Sequence, residues 1–393
     1  ISSISFPLRS LLSHDPRMAA SLTLAKRPLG LAGCRTLGRA SRFSLSQRAL
    51  SSSRLLEGRY PLNDRPDNRP GLGAVLPNVD LTEDFSEEDM EVIRQASHEA
   101  GGILVFPNQN KLDTPKQIQF ARKFGIIEPH AVANSTVSNC PECLEIIREP
   151  QANVVFGENW HSDNSFMEQT CSYSILRGTD VMPKRGSNDT LFSSTEAAFD
   201  ALSPTMQNLL YGLKAYHSAG KAYGVKTGRA TNTRAAMEAT GKMRFNDHAP
   251  ILKKDFLHPV ITVHPDTGRK SIFVSPTFTT RIDGMTREES DMLLGFLYEH
   301  IAKPEFCARV SWSKYQVTMW DNRSLSHKGV ADDVSERRIV HRVSLRGSRP
   351  RSVFDIGEPE TVPYEEVDYS HPTQPATVTV GIDIPQMQQQ AAR

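Results

Sequence analysis

The chain has 393 residues, 38% of them hydrophobic, with 46 Lys and Arg against 45 Asp and Glu. That is enough apolar material for one large or two ordinary domains of about 100–200 residues each, and because no run of 18 or more residues is apolar, no helix is expected to span a membrane. Charge is unevenly placed: residues 1–54 hold nine basic residues and one acid, Asp15, while the remainder carries 37 basic against 44 acidic residues, a balance that argues against a nucleic-acid partner.

Residues 1–54 are rich in Ser and Leu, with Lys26, Arg27, Arg35, Arg39, Arg42, Arg48 and Arg54 following Met18. The segment lacks the continuous apolar centre of a secretory signal and reads as an organellar import peptide, mitochondrial in character; the alternative is a disordered basic tail on a cytoplasmic protein. Pro61, Asp64, Pro66, Asn68, Pro70 and Gly71 then give residues 55–75 the composition of a linker, so that the folded domain is expected over residues 76–355.

Ser86-Glu-Glu-Asp89 opens a helix that runs to Gly101-Gly102, and Ile103–Phe106 follows as a strand. Thr114-Pro115 starts a second helix, with Gly125 as its stop. The five cysteines are odd in number and sparse, which suits a reducing compartment. Cys140-Pro-Glu-Cys143 has the spacing of a redox pair or half a zinc site, yet no second pair exists and no thioredoxin-like context follows, so it reads as a surface loop.

The stretch Glu158-Asn-Trp-His-Ser-Asp-Asn-Ser-Phe166 places His161 two residues before Asp163. In a strand, residues i and i+2 project to one side, so both donor atoms can reach one ion, whereas a helix would splay them. With His327, in Met319-Trp-Asp-Asn-Arg-Ser-Leu-Ser-His327, they make a set of two imidazoles and one carboxylate. Such a set holds one face of an octahedral non-haem Fe(II) and leaves the opposite face open. The pattern alone is weak, since twelve histidines in a chain about a quarter charged produce on the order of one His-x-Asp by accident. A second copy, His264-Pro-Asp266, precedes Thr267-Gly268 between two apolar runs and reads as the turn of a hairpin.

Thr170–Leu176 reads as a strand and 194–213 as helices broken at Pro204. From His217 to Lys254 the chain is basic, Gly-bearing and poorly patterned, the character of an active-site lid, with His217 and Tyr223 as candidates within it. Strands at 259–264 and 270–275 precede a helix opened by Thr286-x-x-Glu289, and further strands are expected near 308–312, 315–320 and 338–345. In the last of these, Arg338, Val340, Arg342, Ser344 and Arg346 share one face, while Ile339, His341, Val343 and Leu345 share the other, apolar one. A guanidinium inside a narrow barrel is costly unless it meets an anion, so two of them imply two anionic groups; an edge strand with solvated arginines is the alternative. Beyond Arg351, Pro359, Pro363, Pro372, Pro375 and a Gln-rich end make residues 356–393 a mobile tail.

Short strands with the candidate ligands far apart in sequence suit a mainly β fold with flanking helices, its core an antiparallel double-stranded β-helix of the jelly-roll, cupin-like kind. The segments Trp160-His-Ser-Asp163, Asn188-Asp-Thr-Leu-Phe192, 258–270, Trp320-Asp-Asn-Arg323 with His327, and Arg337-Arg-Ile-Val-His-Arg342 occur in the order in which they occur in a known family. From roughly Gly71 to Arg351 the chain resembles the taurine dioxygenase family of Fe(II)/2-oxoglutarate-dependent oxygenases, which also includes the 2,4-dichlorophenoxyacetate dioxygenases.

The resemblance implies that His161, Asp163 and His327 ligate iron, that Thr190 and Arg338 hold the distal carboxylate of 2-oxoglutarate, and that Arg342 and His130 serve the substrate. Dioxygen would be the second co-substrate, with succinate and CO2 released as a small anionic molecule is oxidised, by hydroxylation in the simplest case. Trp320 matches a core signature of the family. Where the taurine enzymes place an Asn four residues before the first iron ligand and a Tyr three residues after the upstream His, this chain has Gly157 and Ala133. An anionic substrate other than taurine is therefore expected. A zinc-dependent hydrolase could use the same two His and one Asp, but it would need an additional general base and gives the paired arginines no role. A barrel that binds 2-oxoglutarate without turnover is the other alternative, and self-association is left open.

Overall fold

The computed structural model describes residues 54–62, 68–134, 137, 139–150, 156–224, 244–333 and 335–355. The expected import peptide, the carboxy-terminal tail and the centre of the expected lid, residues 225–243, lie outside the described residues.

Two sheets face each other. The larger has seven strands in the order Tyr60–Pro61, Ala74–Val75, Ile103–Phe106, Val317–Asp321, Cys171–Gly178, Arg338–Arg346 and Cys143–Arg148. All neighbours are antiparallel except Ala74–Val75 beside Ile103–Phe106. The smaller has Cys307–Val310, Thr190–Ser194 and Leu325–Gly329, with Thr190–Ser194 in the middle. Side chains from both sheets, among them Ile103, Leu176 and Val340 from one and Phe192, Val310 and Leu325 from the other, form one buried cluster around Trp312 and Trp320. This is the expected jelly-roll core: each strand sends alternate residues inward, and burying them is the main favourable term in folding.

The outer face of the large sheet is covered by helices. Glu87–Glu99 begins at Ser86, whose hydroxyl accepts from the Asp89 amide while the Asp89 carboxylate accepts from the Ser86 amide, the reciprocal cap that the sequence predicts. Helix Thr114–Arg122 starts with Pro at its first turn, and Asp113 caps it. Helix Arg287–Ile301, capped by Thr286 and Glu289, packs Leu293, Leu294 and Leu297 into a separate buried cluster that includes Ile261 and Ile272 of the hairpin Ile261–Val263 and Lys270–Ile272.

Several expectations are corrected. Residues 55–62 and 68–75 are not a free linker: Leu55, Leu62, Leu72 and Val75 are buried, and the prolines and glycines there turn the chain onto the sheet edge. Gly73, at φ +92°, is one place where a side chain is excluded, because a Cβ would lie 2.8 Å from the Leu62 side chain. Cys140 and Cys143 are buried rather than in a surface loop, Cys143 beginning a strand of the large sheet, and burial pushes the Cys143 thiol up to about 12. A thiol so disfavoured as thiolate suits neither redox exchange nor metal binding. The outer face of Arg338–Arg346 is not wholly apolar either. His341 Nδ1 lies 2.9 Å from the Thr114 hydroxyl and 3.0 Å from Arg177, tying the helix Thr114–Arg122 to the sheet through a half-buried polar group.

Candidate active site

His161 and His327 meet first through the backbone. Each donates its amide to the other's carbonyl, at 3.0 and 2.8 Å, an antiparallel bridge that continues the small sheet by one pair. Asp163 does not continue a strand, as the His-x-Asp spacing suggests; it begins a turn in which Asn164 takes φ +51°. The turn still delivers the carboxylate to the imidazoles. His161 Nε2 lies 3.6 Å from Asp163 Oδ1, His327 Nε2 lies 3.8 Å from Asp163 Oδ2, and one ligand atom from each residue falls within 4.8 Å of the others. All three residues are buried.

Protonation follows from the partners. His161 Nδ1 sits 2.8 Å from the Asn159 carbonyl, which can only accept, so Nδ1 donates there and Nε2 is the nitrogen left facing Asp163. Burial, with His161 alongside, holds His327 well below the ordinary imidazole range and therefore neutral. For Asp163, burial alone would raise the pKa, but Arg342 and then the two histidines outweigh it and keep the carboxyl ionised. Two imidazoles and one carboxylate, turned toward a common point in a buried site, fit a divalent first-row cation.

Around these three stands a supporting set that sequence reading missed. The Ser174 hydroxyl donates to Asp163 Oδ2 at 2.7 Å, and Asn322 Oδ1 accepts the Asp163 amide at 3.0 Å and the Trp320 indole N–H at 3.2 Å. Asn322 Nδ2 in turn donates to Ser174 Oγ at 3.0 Å. The Trp-Asp-Asn-Arg segment is thus the holder of the carboxylate as well as core, and the signal for it is the place of Asn322 five residues before His327; nothing in the sequence around Ser174 gives one. Phe192 stacks on His327 at 5.8 Å between centroids, and Phe278 meets His161 edge-on at 6.0 Å.

Gly157 approaches the same centre. At φ +74° it holds a conformation that disfavours a side chain, and a Cβ there would lie 2.9 Å from His161 Cε1. Its carbonyl accepts the Gly329 amide at 2.7 Å, fixing the segment to the strand that carries His327.

Arg338 and Thr190 come together at Trp312. The Thr190 hydroxyl accepts from the Trp312 indole at 3.0 Å, and the Arg338 guanidinium lies 5.4 Å from the centre of the same ring. Burial, with Arg148 adjacent, pushes Arg338 down to about 10. Among the described residues no carboxylate forms an ion pair with Arg338, and its Nε lacks an acceptor. Arg346 differs: its Nε donates to the Glu128 carboxylate, after a register shift that takes it out of the Arg338–Arg342 row.

Arg342 is buried too, and its Nη1 donates to Asp163 Oδ1 at 2.5 Å. The sequence assigned this guanidinium to a substrate alone; the structure shows it also touching the carboxylate beside the two histidines. Its Nε has no acceptor, so donor capacity remains. His130 Nδ1 accepts the amides of Ala133 at 2.8 Å and Val132 at 3.2 Å, which places its proton on Nε2. Burial and the Arg342 charge bring His130 down to about 3, so it is a neutral donor at any ordinary pH. Tyr223, packed edge-on against His130 at 5.4 Å, lies in a buried apolar cluster with Val132, Phe166 and Phe278. His217 is not a lid residue: it is buried in the strand Lys214–Ser218, 3.1 Å from Ser165 Oγ and stacked on Phe273.

At the second His-x-Asp, His98, His264 and Asp266 also bring ligand atoms within 4.8 Å of one another, but His264 and Asp266 are engaged within the protein. His264 Nδ1 accepts the amides of Asp266 and Thr267, so Nε2 carries the proton and donates to Asp321 at 3.0 Å. Both nitrogens are committed, and Asp266 is bound by Arg323 at 2.8 Å.

Over residues 64–344 the chain matches the family described as taurine catabolism dioxygenase TauD, TfdA family. It is 30% identical over 292 residues to the alpha-ketoglutarate-dependent 2,4-dichlorophenoxyacetate dioxygenase of Cupriavidus pinatubonensis, covering 70% of this chain and 94% of that one. It is likewise 30% identical over 282 residues to the alpha-ketoglutarate-dependent sulfate ester dioxygenase of Pseudomonas putida, covering 72% and 89%. Among solved structures, a taurine dioxygenase from Burkholderia xenovorans superposes with a TM-score of 0.59 at 28% identity, covering 75% of this chain and 93% of that one. These relatives set aside both the zinc hydrolase and the barrel without turnover. A match that runs unbroken from before His130 to beyond Arg342, on the same two-sheet core, makes the chain a member of the TauD, TfdA family and an Fe(II)- and 2-oxoglutarate-dependent oxidoreductase.

Proposed function

We propose that His161, Asp163 and His327 hold Fe(II), that Arg338 with Thr190 receives the distal carboxylate of 2-oxoglutarate, and that Arg342 with His130 receives the anionic group of a small organic substrate, which is hydroxylated. Iron with 2-oxoglutarate and dioxygen supplies a two-electron oxidation, one oxygen atom ending in succinate as CO2 leaves and the other going to substrate. The chain's part is placement. Arg338 sets the depth of the co-substrate, the Phe192, Phe278 and Trp320 rings exclude water from the metal side, and Ser174 and Asn322 keep Asp163 from turning away.

The observation that carries the substrate assignment is Arg342: a buried guanidinium with an unsatisfied Nε–H, joined by the neutral Nε2–H of His130. Leaving the buried Arg342 Nε–H unpaired costs on the order of 1–3 kcal/mol, a cost an anion removes. Gly157 and Ala133 add no polar side chain, and Val132, Phe166, Tyr223 and Phe278 add apolar surface beside His130. An acid with an apolar body and no amine fits these walls, and the relatives named for 2,4-dichlorophenoxyacetate and sulfate esters act on molecules of that kind.

Arg342→Lys is the test. It keeps a cation beside Asp163 but loses the planar fork. The substrate KM should rise by about tenfold to a hundredfold, a charge-assisted pair being worth about 1.5–3 kcal/mol, while metal and 2-oxoglutarate binding change little. An unchanged substrate KM removes Arg342 from the anion site.

A further inference from the structure

Arg148, at the end of the strand Cys143–Arg148, pairs across the sheet with Arg338. Directly opposed residues of antiparallel strands point to the same face, and like charges so placed destabilise the pair. Arg148 is buried and Arg338 half-buried, and partial burial together with the Arg148 charge depresses the pKa of Arg338. Among the described residues Arg148 donates only to neutral acceptors, its Nη1 to the Asp333 carbonyl at 2.9 Å and its Nη2 to the Glu336 carbonyl at 2.6 Å, and its Nε has no acceptor. Those carbonyls belong to the segment that joins the His327 strand to the Arg338 strand. Its other anchors are Asp332, which accepts the Asn188 amide at 2.6 Å and pairs with Arg309, and the Glu336 carboxylate, which accepts the Lys184 amide at 2.7 Å. Thr190 therefore stands two residues from one anchor and Arg338 two residues from another.

We propose that Arg148 is a positioning residue for 2-oxoglutarate, holding the Asp333 and Glu336 carbonyls so that Arg338 and Thr190 keep their places at the distal-carboxylate end, and adding its own charge to the field of Arg338. The inference rests on the reading of Arg338 and Thr190 as that end of the site. A dicarboxylate offsets the repulsion between the two guanidiniums, and a 2-oxo acid without a second carboxylate does not.

The test uses the full chain loaded with Mn(II), titrated calorimetrically with 2-oxoglutarate and with 2-oxovalerate, which has the same head and an uncharged tail. Arg148→Gln should weaken 2-oxoglutarate by about tenfold, the size of one lost charge-assisted interaction, and leave 2-oxovalerate within about twofold. Arg148→Lys, which keeps the charge without the fork, should fall between wild type and Gln, and it carries the test should the Gln variant not fold. In turnover the loss should appear in KM for 2-oxoglutarate with kcat nearly unchanged. Equal losses for the two acids, or none for either, overturn the proposal. Arg338→Gln, run in parallel, separates the two readings: if it leaves 2-oxoglutarate binding intact, the assignment of the distal-carboxylate site itself has failed.

Discussion

Asp163→Ala is expected to abolish both iron binding and succinate release, and to unfold more readily than the wild type even when both proteins are free of metal. The first effect follows from losing the one anionic donor of the three that converge. The second follows from Arg342. With Asp163 gone, a buried guanidinium loses the carboxylate oxygen 2.5 Å away, and breaking a buried pair from one side costs about 3–5 kcal/mol. Part of that cost returns with Asp163→Asn, which keeps the shape and an acceptor for Ser174 but not the charge. The Asn variant should therefore fold better than the Ala variant and still fail to retain iron. Metal content and urea unfolding of the two variants read the effects separately. Full activity in either would remove Asp163 from the iron site.

Replacing Arg338 should act in the opposite sense on stability. The 2-oxoglutarate requirement of Arg338→Met is expected to rise by about tenfold to a hundredfold or more, corresponding to the ~1.5–3 kcal/mol of a charge-assisted pair. Yet the protein without co-substrate should be no less stable, because the side chain removed is a half-buried cation with no carboxylate partner among the described residues, its Nε without an acceptor. A residue kept for the fold would show the reverse. Arg346→Ala, which breaks the pair with Glu128, should lower stability and leave the co-substrate requirement where it was. Unfolding curves and initial rates against 2-oxoglutarate concentration measure both. An unchanged requirement in Arg338→Met would return the distal carboxylate to another cation.

Much of the site was legible because its chemistry is carried by residue types that seldom serve elsewhere in this combination. His161, Asp163 and His327 could be named from the sequence since metal ligation limits the choice of side chain, and they do converge. The geometry was less legible. Asp163 reaches the histidines from a turn after a single bridge pair, since a turn with Asn164 at positive φ delivers the carboxylate as well as a strand would. Ser174 and Asn322 could not be read as holders because any small hydroxyl or amide fits many buried places, and only the fold decides which one faces Asp163.

For the elements, the capped helices at Ser86 and Thr286 were plain, because each cap is written in residues three apart. The strands Thr190–Ser194 and Leu325–Gly329 were not. Their sequences, Thr-Leu-Phe-Ser-Ser and Leu-Ser-His-Lys-Gly, lack the β-branched alternation that marks a strand locally, and their extended form is imposed by pairing with each other. His217 misled for a related reason: a polar residue in a weakly patterned stretch looks exposed until a partner such as Ser165 is found for it inside.

The most direct measurement of the central claim is the coupling of 2-oxoglutarate consumption to substrate loss across a panel of sulfonates, sulfate esters, aryloxy acids and amino acids, each beside its uncharged amide or ester, with Fe(II) present. The account predicts that succinate forms in step with the loss of one class of amine-free acid, that its uncharged counterpart is left untouched, and that taurine is turned over poorly. Efficient taurine turnover, or a preferred substrate with no anionic group, would contradict it.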